Sequence, residues 1–159
     1  MAYFTIESNR GFVRAGPGGV LRIGGMPFFQ ADYFFEQITI GTANAEGQEN
    51  VAFKNIGQNR FVSVDIYDRE RLIVGAQNPG SSESFWLDLD TFFRSDIAIA
   101  DNGLDSNHQW VAPIQVANDE FELQANQRLD RPVDSRCMFL FHPVAPHVIR
   151  AFERQGCKT

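Results

Sequence analysis

The chain has 159 residues, an apolar fraction of 43% with 15 Phe, and a formal net charge of -6. That is enough for one domain with an aromatic-rich core, while the acidic balance and scattered Lys and Arg argue against nucleic acid or an anionic membrane as partner. No apolar run is long enough to cross a bilayer, and the opening Met1-Ala2-Tyr3-Phe4-Thr5-Ile6 lacks a basic, then apolar, leader, so the expected location is the cytoplasm, or release without a signal peptide.

From the N-terminus, apolar residues come in short alternating runs broken by Gly, Asn, Asp and Pro clusters, the pattern of half-buried strands joined by turns. The first segment holds Phe4-Thr5-Ile6, Gly11-Phe12-Val13, the turn Gly16-Pro17-Gly18-Gly19, Leu21-Arg22-Ile23-Gly24-Gly25 and Phe34-Phe35. The second repeats that order: Val51-Ala52-Phe53, the turn Asn55-Ile56-Gly57-Gln58-Asn59, Arg60-Phe61-Val62, Leu72-Ile73-Val74-Gly75-Ala76 and Ser84-Phe85-Trp86-Leu87. The third runs Ile97-Ala98-Ile99, Gln109-Trp110-Val111, Phe121-Glu122-Leu123-Gln124-Ala125 and Met138-Phe139-Leu140-Phe141, with His142-Pro143 expected to end the last strand. Only residues 146–155 suggest a helix, with Pro146 as its first residue and Gly156 as its stop. A fixed-order recurrence at a period of about 45–50 residues indicates repeated supersecondary units. The units are 1–46, 47–94 and 95–145, forming one domain over 1–145 with a tail over 146–159.

The three segments, the second most clearly, resemble the β-trefoil superfamily, in particular the fascin-like and fungal lectin-type single-domain trefoils. The resemblance covers roughly residues 3–144. It implies an all-β fold of three pseudo-symmetric four-stranded repeats, built as a barrel of hairpins with a triangular cap. It also implies that Gly25, Ala76 and Ala125 are equivalent small residues. Phe12, Phe61 and Trp110 would fill one layer of the barrel, and Phe34 or Phe35 with Phe85 and Phe139 another. The ricin-type sugar motif does not carry over, because Gln109 and Trp110 are adjacent and occur once. The fold hosts lectins, protease inhibitors, cytokines and actin-bundling modules, so it leaves function open.

Catalytic and cofactor chemistry finds little footing. Gly16-Pro17-Gly18-Gly19 is not followed by Lys-Ser/Thr and reads as a turn. His108, His142 and His147 have no ligand spacing, and Asp101-Asn102-Gly103-Leu104-Asp105 has the composition of an ordinary turn, so no metal is expected. Cys137 reads as a small core residue and Cys157 as part of a polar tail. No nucleophile–base pair is visible, and neither an enzyme nor a cofactor is expected.

Sugar binding needs a flat aromatic face with Asp or Asn at its edge. Two stretches offer that mix: Asp105, Asn107 and His108 beside Trp110, and Asp65 with Tyr67 at the tip of the central hairpin of the second unit. Trp86 is a third candidate, since its alternation with Phe85 and Leu87 points it away from the core. The leading reading is therefore a non-enzymatic lectin for cell-surface glycans or glycoproteins. A trefoil protease inhibitor is the alternative, using the insertion at 127–135 with Arg128, Asp130 and Arg131. A fascin-like cytoskeletal module is the third, and bundling by one trefoil would need a homodimer.

Overall fold

The structure, a computed structural model, describes residues 2–25, 30–41, 49–88, 96–101, 109–127 and 137–154. These form twelve strands and one α-helix. The first unit contributes β1 (Ala2–Ser8), β2 (Gly11–Ala15), β3 (Leu21–Ile23) and β4 (Phe35–Thr39). The second contributes β5 (Glu49–Asn55), β6 (Arg60–Asp65), β7 (Arg71–Ala76) and β8 (Phe85–Asp88), and the third β9 (Asp96–Asp101), β10 (Trp110–Ala117), β11 (Glu120–Gln127) and β12 (Phe139–Val144). Helix α1 (Pro146–Arg154) follows.

Six strands close a ring by antiparallel pairing, β1 to β4, β5, β8, β9, β12 and back to β1. The hairpins β2–β3, β6–β7 and β10–β11 form a cap, joined cyclically by single pairings: Val20 with Ile73, Arg71 with Gln124, and Glu122 with Arg22. Each joins the same position of one hairpin to the same position of the next. The chain thus ties β3, β7 and β11 to neighbouring units through single pairs, which interrupt their open edges.

The ladders define equivalent residues without superposition. Phe35 faces Phe4, Phe85 faces Val51 and Phe139 faces Ile97, and all three Phe are fully buried. Val13, Val62 and Val111 form the next equivalent set, and Leu21, Leu72 and Leu123 another, all in one core with Ile6, Phe53 and Ile99. Burying each Phe stabilises the fold by about 2–3 kcal/mol. A void of only about 20 Å³, walled by apolar side chains such as Ile6, Phe35 and Leu123, remains inside. Nothing larger than a water could enter, and no polar group there would hold one.

Three expectations change. Phe12, Phe61 and Trp110 do occupy equivalent positions, opposite Glu7, Lys54 and Ala100. They lie on the outer face, however, because strand alternation turns the following Val13, Val62 and Val111 inward. Second, Ala125 aligns with Val74 and Ile23, while Ala76 aligns with Gln127. A bulge falls at the same step in both later units, between Phe61 and Val62 and between Trp110 and Val111. The extra residue is Gly75 in one and Asn126 in the other, and Gly24 donates to Phe12 O at the matching place in the first. That inserted residue displaced the alignment read from apolar spacing alone. Third, β12 continues through His142 and Pro143 to Val144, with Phe4 facing Pro143. Among the described residues its β9 side pairs at Phe139 and Leu140, so Pro143 lies beyond that described pairing and its missing donor breaks none of it.

Helix α1 starts at Pro146 and packs onto the barrel. Ile149 and Phe152, one turn apart on one face, are buried with Ala31 and Phe34, and the rings of Phe34 and Phe152 lie 5.0 Å apart. No described helix is long and apolar enough to cross a membrane.

Candidate functional site

The β6–β7 hairpin carries the most exposed apolar side chains among the described residues, Tyr67 at 94% and Ile66 at 59%. Its loop is nonetheless tightly held. Asp65 Oδ1 accepts from Tyr67 N (3.2 Å), Asp65 O from Asp68 N (3.2 Å) and Asp68 O from Arg71 N (3.1 Å). The first of these is the side-chain turn that Asp makes with the backbone two residues on. Glu70 O then accepts from Ala125 N of the third unit (2.8 Å).

Arg69 and Glu70 adopt left-handed backbone, φ 55° and 56°, which costs about 1–2 kcal/mol for a residue with a Cβ. The cyclic cap pairing makes them the counterparts of Gly18 and Gly19, whose φ values are 72° and 80°. The first unit makes this bend with two glycines. The second makes the same bend with a guanidinium and a carboxylate.

The Arg69 side chain meets a buried polar row. Asp68 is shared by Arg69 (Nε to Oδ1, 3.0 Å) and Arg71 (3.1 Å to Oδ2). Arg69 also lies 3.7 Å from Glu122 Oε1, and Glu122 is 1% exposed. Gln124 Nε2 donates to Glu122 Oε2 (3.0 Å), Asn126 Nδ2 to Gln124 Oε1 (2.7 Å), and Gln127 Nε2 to Asn126 Oδ1 (2.9 Å). The ion pairs at the solvent edge contribute little stability, at most about 1 kcal/mol each. Their effect is to order the guanidiniums and Asp68 in the same loop as the exposed Tyr67. An exposed aromatic ring on the same loop as carboxylate and guanidinium groups has the chemistry to stack on the C–H face of a sugar and exchange hydrogen bonds with its hydroxyls.

Of the residues singled out in the sequence, Asp65 and Tyr67 therefore sit together here. Trp110 is 2% exposed and packs with Ala98, Ala100, Ala112 and Cys137, and the half-buried Trp86 rests on the same cluster. Ala100 faces both Trp86 and Trp110 across adjacent strands. At the position equivalent to Ala100 the other units carry Glu7 and Lys54, so the apolar pairing of the two indoles forms where β8 of the second unit meets β9 and β10 of the third. Asp105, Asn107 and His108 lie outside the described residues, as do Arg128, Asp130 and Arg131 of the inhibitor reading and Cys157. Cys137 is buried. Among the described residues no group of His, Cys, Asp and Glu has the arrangement of a metal site. The sequence reading missed Arg71, which pairs with Asp68 within the hairpin, and Glu122 and Gln124, which reach the tip only through pairing between units some fifty positions apart. The one local hint was Glu122, Gln124 and Asn126 alternating with Leu123 and Ala125, a polar file where an exposed strand face was the simpler reading.

No family model matches the sequence, and no curated protein matches it. Solved structures do. A designed 3-fold symmetric protein, ThreeFoil, is similar over 89% of this chain and 99% of its own, with a TM-score of 0.70 at 5% identity. A Polyporus squamosus lectin, bound to the human-type influenza-binding epitope Neu5Aca2-6Galb1-4GlcNAc, is similar over 88% of this chain with a TM-score of 0.65 at 9% identity. The chain spans 48% of that lectin's length. At such identities the likeness speaks to fold alone, and with the closed ring and cyclic cap it establishes that this mostly-β chain is a β-trefoil.

Proposed function

We propose that this protein is a non-enzymatic carbohydrate-binding module that recognises glycans or glycoproteins through the β6–β7 hairpin tip. The observation that carries the reading is Tyr67, 94% exposed on a loop held by hydrogen bonds at both ends. An exposed aromatic on a mobile loop would lose binding energy to ordering, whereas a fixed one does not. Asp65, two residues before Tyr67, supplies a carboxylate whose Oδ2 is not used by the turn. Arg69 supplies donors anchored on Asp68. The lectin among the similar folds was captured with a glycan, which agrees with this reading without assigning a sugar.

A glycan array probed with the whole chain tests it. Binding is expected, and Tyr67→Ala should weaken the best hit at least about tenfold, which corresponds to about 1.4 kcal/mol of stacking and burial. The melting temperature should hardly move, because a side chain so exposed contributes little to folding. An array without hits, or hits indifferent to Tyr67→Ala, contradicts the proposal.

A further inference from the structure

Building on the reading that the β6–β7 tip binds glycans, we infer that this site selects neutral saccharides and discriminates against anionic ones, whether sialylated or sulfated. The hairpin tip and the strand packed on it carry four carboxylates, Asp65, Asp68, Glu70 and Glu122, against two guanidiniums, Arg69 and Arg71, with Asp68 and Glu122 in direct contact with them. Both guanidiniums are already committed, Arg71 to Asp68 and Arg69 to Asp68 and Glu122. Strong recognition of a ligand carboxylate or sulfate uses an arginine fork presented to it. Here the fork would first have to release Asp68, which is tethered in the same loop. The site's own excess of negative charge and the chain's net -6 both repel an approaching anion.

A neutral sugar meets no such barrier. Its hydroxyls donate as well as accept, so they can give hydrogen bonds to Asp65 Oδ2 and accept from Arg69 without breaking an internal pair. The contact that the third unit makes with Arg69 is itself a carboxylate, Glu122.

The discriminating measurement is an array in which each neutral oligosaccharide is printed beside its sialylated and sulfated forms, followed by titration of one matched pair at low and high salt. Neutral forms should bind at least about fivefold tighter at low salt, the effect of two uncompensated charges within about a Debye length. The ratio should shrink toward one as salt rises. Glu70→Gln, which removes one of the negative charges while keeping side-chain size, should roughly halve the ratio. Equal or tighter binding of the anionic forms, or a ratio indifferent to salt and to Glu70→Gln, overturns the inference while leaving glycan binding standing. Absence of binding to every form instead removes the functional reading on which it rests.

Discussion

Gly19 and Glu70 share one bend, yet their neighbours differ. A Cβ on Gly19 would lie 2.4 Å from Val74 O, a backbone atom that cannot swing aside, and its φ of 80° is itself unfavourable for any other residue. Gly19→Ala is therefore expected to cost about 2–3 kcal/mol, seen as a lower urea midpoint. Glu70→Gly should move the midpoint the other way by about 0.5–1 kcal/mol, because it relieves left-handed strain where a side chain is already accommodated. Equal effects of the two would show that the units are not equivalent here. Tyr33 supplies a pH signature. Its hydroxyl donates to Gly24 O, and burial pushes the phenol above its ordinary value of 10.0, with Arg14 opposing and Asp32 adding to the shift. The folded state thus favours the neutral form, so this contribution is complete below about pH 10 and is lost as pH rises above it. Tyr33→Phe should flatten stability against pH in that alkaline window and lower it by about 1 kcal/mol elsewhere through the missing hydrogen bond. An unchanged alkaline slope in the variant would refute the assignment.

The elements were legible to different depths. Helix α1 could be read from Pro146 and the turn beyond it, but its docking could not. Ile149 and Phe152 meet Ala31 and Phe34, more than a hundred positions away, and nothing local in the sequence names that partner. Phe152→Ala should cost about 2–4 kcal/mol if the helix is part of the packed structure. A loss below about 0.5 kcal/mol would mean that α1 is only an appendage. The strands were legible because alternation is a local signal. Which face each aromatic takes was not, since Phe12, Phe61 and Trp110 precede a Val that suits the core equally well in hydrophobicity. The bulges at Gly75 and Asn126 escaped for a similar reason: an extra residue leaves the apolar run intact while shifting what lies beyond it.

Across the whole molecule, threefold equivalence governs the interior, and its breakdown governs the surface. Phe35, Phe85 and Phe139 repeat almost without variation. The three cap tips do not: the first bends through Pro17, Gly18 and Gly19, the second presents Ile66 to Glu70, and the third turns tightly between Ala117 and Glu120. Asp65 and Tyr67 were legible as a candidate because residue types alone suggested them, whereas the anchoring by Glu122 and Ala125 exists only once the units pair. A fold repeated three times usually invites three sites. Among the described residues only the second cap tip carries an exposed ring, so the chain should bind one glycan per copy through that tip.

Calorimetric titration of the full chain with the best neutral oligosaccharide from the array, beside Tyr67→Ala, addresses this most directly. The account expects a one-site isotherm near one ligand per chain, weakened at least about tenfold in the variant at an unaltered melting temperature. Two or three equivalent sites, or an affinity that survives the loss of the Tyr67 ring, would contradict it.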